Sequence, residues 1–243
     1  MARTSGRALL PVVLISAAFA ATGCGDSPAA TEQPLRAEDS IVGGEVDTEH
    51  RHVFMLVTIA GNYYQACTAT LIAPNLLLTA RHCISSNEDE VVICGRSDLG
   101  PPLPATSIRA SNAVNVQEAR RWYEGASVHV PQEGSDTCGY DVALVVLTEN
   151  VPASVAVPAV PRIDREVAEG EPYVAVGYGL DEQGEQGGRL MREGLFVSCA
   201  PGECGRVAPA GEFIGDTGVC QGDSGGPAFD AAGKVVGIVS RGG

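Results

Sequence analysis

The amino-acid sequence predicts an all-β protein, a sandwich or a barrel, and three observations lead there. Short apolar or β-branched runs recur at 53–60, 68–72, 76–79, 90–94, 143–148, 173–178, 195–199 and 234–240. Gly, Pro and Asn punctuate these runs, as expected of strands separated by turns. The 243 residues include 30 Gly and 15 Pro yet are 44% hydrophobic, so the chain is rich in turns and still long enough to bury a sizeable core.

At the N-terminus, Arg3 and Arg7 precede an apolar run over 8–21. That run is too short, and too broken by Pro11, for a membrane span of roughly 20 residues. It reads as a secretory signal peptide covering 1–23. The run ends in Ala21-Thr22-Gly23-Cys24, which resembles the bacterial lipoprotein cleavage box with Ala21 in place of the usual leucine. The resemblance implies that Cys24 is lipidated and anchors the protein to a membrane without spanning it. Residues 24–40 are polar and acidic with scattered Pro and Ala, as in a linker or propeptide. Strands are then expected in the order given, while 117–123 suits a short helix or a strand equally well. With 30 acidic against 16 basic residues the net charge is −14, which opposes binding to nucleic acid or to anionic membrane surfaces.

Three segments carry chemistry. A serine hydroxyl is a poor nucleophile at neutral pH and needs both a base and donors for the oxyanion that forms. In Gly218-Val219-Cys220-Gln221-Gly222-Asp223-Ser224-Gly225-Gly226-Pro227 the glycines allow backbone N–H groups to converge on one point. Taken alone, Gly-Asp-Ser-Gly is equally ordinary turn chemistry. Leu78-Thr79-Ala80-Arg81-His82-Cys83 supplies an imidazole, and Tyr140-Asp141-Val142-Ala143-Leu144 places a carboxylate at the head of an apolar run, where it needs a partner.

Together with Ile41-Val42-Gly43-Gly44 upstream, these segments resemble the chymotrypsin/trypsin-like serine endopeptidases, in that family's His, Asp, Ser order, over 41–243. The resemblance implies two six-stranded antiparallel β-barrels, about 41–150 and about 162–243, joined by the Pro-rich segment 151–161 with the active site in the cleft. Family members continue into a further strand and a helix beyond the position of Gly243, so the second barrel is expected to be incomplete at the C-terminus. His82 is then the general base, Asp141 its orienting carboxylate and Ser224 the nucleophile, with the N–H groups of Gly222 and Ser224 forming the oxyanion hole. Cleavage before Ile41 frees an α-ammonium that pairs with Asp223. Because Ser40 precedes Ile41, the activating protease is expected not to be tryptic, and the cut also releases the anchored, exported protein as a secreted enzyme. Ser240, Arg241 and Gly242 pair with extended substrate, and Ser240 hydrogen-bonds near Asp141. Gly218 and Val219 line the primary pocket, which is expected to favour an uncharged side chain. Asp216, two residues upstream, is the alternative source of a pocket carboxylate and of a tryptic preference.

The same resemblance implies a Cys67–Cys83 bridge and a partner for Cys220 past the end of the chain. Cys94 with Cys138 and Cys199 with Cys204 are paired by proximity or elimination in an exported protein. The cluster Glu88-Asp89-Glu90 reads as a solvated loop, His50 with His52 lacks a third ligand, and His129 resembles a structural histidine of the family, so no metal and no cofactor are expected. The implied partners are a protein or peptide substrate and the activating protease, with no nucleic acid. Two other readings use the same residues. One is a catalytically inactive protease homologue acting as an anchored binding protein. The other is an esterase, although the β-rich pattern and the triad order differ from those of an α/β-hydrolase.

Overall fold

The computed structural model describes residues 44–61, 63–86, 92–180, 187–205, 207–209, 211–219 and 221–241, apart from the Tyr63 side chain. The expected signal peptide, Cys24, the linker, Ile41, Glu88-Asp89-Glu90, Cys220 and Gly242 lie outside the described residues. The strands are β1 (Glu45–Val46), β2 (Val53–Ala60), β3 (Tyr63–Ala73), β4 (Leu76–Thr79), β5 (Ile108–Ser111), β6 (Tyr123–His129), β7 (Ala143–Leu147), β8 (Pro172–Gly177), β9 (Leu190–Cys199), β10 (Ile214–Gly215), β11 (Pro227–Phe229) and β12 (Val235–Ile238).

Strands β2-β3-β4-β7-β6-β5 close into an antiparallel barrel, and β1-β9-β8-β11-β12 form a second sheet with β10 paired to β9. Among the described residues this second sheet is open. The protein is therefore all-β, with one closed six-stranded barrel and a second six-stranded sheet packed against it. The run at β2 shows why the two halves associate. Side chains alternate across a strand. Phe54 and Leu56 enter the first barrel's core with Leu71, Leu77, Ile108 and Val145. Val53, Met55 and Val57 point the other way, onto Val176, Tyr178, Phe229 and Val235 of the second sheet. A strand buried on both faces reads as a continuous apolar run. Strand β8 repeats the device, with Val176 on the shared interface and Tyr173 and Ala175 in the second sheet's own core beside Leu195 and Val197.

The segment 151–161 links the two halves and is fastened to both. The Ala159 amide donates to Leu71 O at 2.8 Å, and Val235 N donates to Val160 O at 3.0 Å. Two expected elements differ. In 90–94 the described residues form a turn: Arg96 N and Ser97 N both donate to Ile93 O, and Ser97 Oγ accepts from Ile93 N, so the local bonds replace a ladder. In 117–123 a 3-10 turn, Val116–Glu118, begins under an Asn115 side-chain cap, and only Tyr123 enters β6. Strands β5 and β6 were concealed by polar outer faces, where Arg109 and Glu124 sit opposite each other and form an exposed ion pair.

Candidate active site

The His82 segment leaves β4 through Ala80 and coils into the 3-10 turn Arg81–Cys83. Two anchors hold that turn. The Cys67–Cys83 disulfide ties it to β3, and the buried Arg81 guanidinium donates to Gly134 O at 2.9 Å and Leu99 O at 3.3 Å. Asp141 arrives from the opposite side, after the turn Thr137–Tyr140, where Cys138 is bonded to Cys94, and just before β7. Antiparallel pairing of Thr79 with Ala143 brings the end of β4 beside the start of β7, so the register itself delivers His82 to Asp141.

The resulting contact is two-pronged. Asp141 Oδ1 accepts from the His82 amide at 2.8 Å, and Oδ2 lies 2.8 Å from His82 Nδ1. Oδ2 also accepts from Ser240 Oγ at 2.5 Å. The Asp141 side chain is 2% exposed and that of His82 16%. Burial alone would push the Asp141 pKa upward. The His82 side-chain bond and charge, with the bonds from Ser240 and the His82 amide, outweigh it and hold the carboxyl below the usual range. Among the described residues, no Lys or Arg forms an ion pair with Asp141.

Ser224 lies in the loop between β10 and β11. Its carbonyl accepts from Thr68 N at 2.8 Å, and Gly225 N donates to Val239 O at 2.6 Å. Gly225 has φ +79°, and a Cβ there would stand 2.2 Å from Thr79 Oγ1 and 2.3 Å from Thr68 O, so only glycine fits. The Cys83 sulfur is 3.7 Å from His82 Nε2 and 3.6 Å from Ser224 O, which makes the imidazole and the serine neighbours across the disulfide. Among the described residues, no hydrogen bond joins the Ser224 hydroxyl to His82.

Asp223 is 1% exposed and accepts from Gly179 N at 2.8 Å. Its carboxylate fits a cradle that side chains on Gly177 or Gly179 would fill, at 2.1 and 2.5 Å. Gly222 has φ +101°, and its carbonyl accepts from Thr68 Oγ1 at 2.8 Å. Arg241 is committed to an ion pair with Glu212 and reaches Ser240 Oγ at 3.3 Å. Val219 packs at the edge of the second sheet's core. Asp216 is turned away onto β9, accepting from Phe196 N at 2.8 Å and Ser198 Oγ at 3.3 Å. Cys199 is bonded to Cys204, giving three disulfides among the described residues, as suits an exported protein.

Three residues of the site region carried no signal in the sequence. Thr68 is fully buried in β3, and its hydroxyl donates to Gly222 O while accepting from Tyr178 N at 2.9 Å, so one side chain ties the first barrel to the nucleophile loop and to the residue that follows β8. Arg192 of β9 occupies the place where a Gly218 side chain would begin, with Nη1 1.9 Å from that Cβ position. Arg189 is 0% exposed and pairs with Asp47, which also lies 3.0 Å from His50 Nδ1. No local pattern could have marked them, because each partner is remote in sequence.

As to metals, Cys67, His82 and Cys83 bring three ligand-type atoms within 4.8 Å. Both sulfurs are spent in a disulfide, so no thiolate is available there. His50 and His52 lie in the turn before β2, edge to face, and both pack on Phe229. His129 bonds Ser127 Oγ through Nε2 at 3.1 Å on the outer end of β6.

The chain is similar to known proteins in sequence and in fold. A trypsin from Saccharopolyspora erythraea is 30% identical over 216 residues, covering 83% of this chain and 86% of that protein. Chymotrypsin-like elastase family member 1 of Canis lupus familiaris is 26% identical over 180 residues, 69% of this chain and 65% of its own length. In structure, the protease Anisep from Arthrobacter nicotinovorans superposes with a TM-score of 0.63 at 19% identity, over 82% of this chain and 88% of that one. Human heparin binding protein superposes with a TM-score of 0.58 at 16% identity, over 82% and 84%. At those identities the structural matches speak for the fold alone. The Trypsin family model matches residues 41–243, and the chain belongs to the trypsin-like serine protease family.

Proposed function

We propose that the chain is a serine endopeptidase working through His82, Asp141 and Ser224, activated by cleavage before Ile41. The observation that carries this reading is the buried Asp141 carboxylate, held to both the amide and the Nδ1 of His82 and to Ser240. With Nδ1–H donated to Asp141, the imidazole has its lone pair at Nε2, the nitrogen on the side of Ser224. Nε2 takes the Ser224 proton as Oγ attacks the scissile carbonyl. The oxyanion is received by the N–H groups of Gly222 and Ser224. His82 then gives its proton to the leaving amine, and water repeats the sequence on the acyl-enzyme. Catalytic hydrogen bonds are often long or poorly aligned in an unliganded site and tighten when substrate arrives, which is what this mechanism requires of Ser224 and His82.

Asp223, buried in its glycine cradle, is the group that the Ile41 α-ammonium reaches after processing, which fixes the adjacent Gly222 and Ser224 amides. Lipidation at Cys24 holds the unprocessed protein at a membrane, and the activating cut sets the domain free. Ser240, Arg241 and Gly242 take extended substrate by strand addition, while Gly218 and Val219 belong to the primary pocket. The test is hydrolysis of an unstructured protein such as casein by the chain beginning at Ile41. Wild type is expected to cleave it and S224A to be inert with unchanged circular dichroism. Equal cleavage by S224A would reject the assignment. A silent homologue serving as a binding protein would leave casein intact in both. A net charge of −14 opposes the binding of a polyanion by such a protein.

A further inference from the structure

We infer that the primary pocket of this protease takes an acidic side chain, Asp or Glu, and that Arg192 is the residue that reads it. The inference rests on the proteolytic reading above and on its assignment of Gly218 to the pocket floor.

Arg192 lies in the middle of β9, opposite Ala175 of β8. Its guanidinium extends to the segment that leads into Ser224, where Nη1 donates to Thr217 O at 3.3 Å. A Cβ on Gly218 would stand 1.9 Å from Nη1 and 2.9 Å from the guanidinium carbon, and Gly218 has φ +121°. Residue 218 therefore lacks a side chain where the arginine head is lodged. The charge of the floor is set by a long side chain from the neighbouring strand, not by residue 218 itself.

None of the described residues forms an ion pair with that cation. The acidic residue nearest Gly218 in sequence, Asp216, is held on β9 by bonds from Phe196 N and Ser198 Oγ, and Glu193, next to Arg192, is exposed. Tyr173, whose hydroxyl lies beside Gly215, is no anion either: burial first, then the Asp216 charge, pushes its pKa up to about 12. A guanidinium presents five donors in a planar fork, and a single carbonyl uses one of them. A carboxylate entering the pocket completes the fork with charge-assisted bonds. A Lys or Arg side chain would meet like charge, and a neutral one would desolvate the guanidinium without replacing its partners.

The test uses peptides identical except for the residue before the scissile bond, which is Glu, Asp, Gln, Ala or Arg. They are assayed with the chain processed at Ile41 and with its R192Q and R192E variants, each checked by thermal melting. Wild type is expected to prefer Glu or Asp over Gln by about tenfold or more in kcat/KM, and over Arg by about a hundredfold. R192Q should erase the acidic preference and R192E should turn it toward Arg. In parallel, fluorescein-labelled versions are titrated onto S224A, where the same order is expected in dissociation constants without any turnover. Acid-selective binding by S224A together with an inert wild type would sink the proteolytic reading and leave the pocket standing. A wild type that cleaves or binds neutral or basic peptides best, that binds none, or whose selectivity is untouched by R192Q would overturn the pocket inference.

Discussion

Among the described residues two Asp–His pairs with buried carboxylates look alike, and on the proposed mechanism they serve different ends. Asp47 lies 3.0 Å from His50 Nδ1, and Asp141 lies 2.8 Å from His82 Nδ1. Both carboxylates are buried, at 1% and 2% side-chain exposure. At Asp47 the permanent cation Arg189 donates from Nε at 2.8 Å, so the charge is already matched and the histidine is a supporting bond. At Asp141 no described guanidinium or ammonium forms an ion pair, and the remaining contacts are a serine hydroxyl and one amide. On the proposed mechanism, an imidazolium formed there during reaction is the cation the carboxylate lacks. The lesson is that an Asp–His contact does not identify a catalytic pair. What matters is whether the carboxylate still has a charge to stabilise, and whether the other imidazole nitrogen faces a nucleophile.

The largest expected effect comes from breaking the second pair. Asp141→Asn keeps the shape but removes the charge and the tautomer, and kcat for peptide hydrolysis should fall by roughly 10⁴-fold with little change in melting temperature. Asp47→Ala should do the reverse. It strands Arg189 in the interior and is expected to lower stability by about 3–5 kcal/mol in denaturant titration, while folded protein retains most of its kcat. If the two variants gave the same phenotype, the distinction between the pairs would collapse.

Acid sharpens the contrast further. His52, beside the first pair, has its pKa depressed to about 4 by burial, then by the charges of His50 and Arg189, with Asp47 opposing. Since the unfolded histidine titrates near 6.5, the unfolded chain takes up this proton first, and stability should fall as pH drops from 6.5 toward 4. The carboxyls of Asp47 and Asp141, both held low, add their loss only below the ordinary 3.8. His52→Phe should flatten the melting temperature between pH 6.5 and 4, and an unchanged slope would remove His52 from the account.

Smaller effects follow away from both pairs. Thr68→Val removes the hydroxyl that bonds Gly222 O and leaves the shape in place. The expected loss is about tenfold in kcat with KM nearly unchanged, and Thr68→Ser should restore much of it. Smallest is Arg109→Ala, which deletes an exposed ion pair and should shift stability by less than about 1 kcal/mol.

The site was legible in the sequence where its chemistry is concentrated in short segments. None of the three segments decides alone, since Gly222-Asp223-Ser224-Gly225 is also ordinary turn chemistry, but His82, Asp141 and Ser224 in that order supply a base, a carboxylate and a nucleophile together, and the β4 and β7 runs that bring two of them together are plainly apolar. The strand at 53–60 was legible too, but not the reason for its unbroken apolar character, which is that opposite faces serve two cores. Thr68 and Arg192 were not legible. Thr68 reads as an ordinary β-former until folding sets it against Gly222, 154 positions away. Arg189, in a glycine-rich stretch, reads as a surface charge until Asp47 and the carbonyls of Val53 and Asn112 enclose it. Strands β5 and β6 were not legible because apolar residues are few in each: Ile108 and Ala110 flank the exposed Arg109 in β5, and β6 carries Glu124, Gly125 and Ser127 where a plain apolar alternation would be read.

The most direct measurement is covalent labelling by a fluorophosphonate probe, mapped by mass spectrometry, on the unprocessed chain and on the chain cut before Ile41. The account predicts a single adduct on Ser224 that appears strongly only after the cut and vanishes in His82→Ala. Absence of label after the cut, an adduct on another residue, or equal labelling in His82→Ala would contradict it.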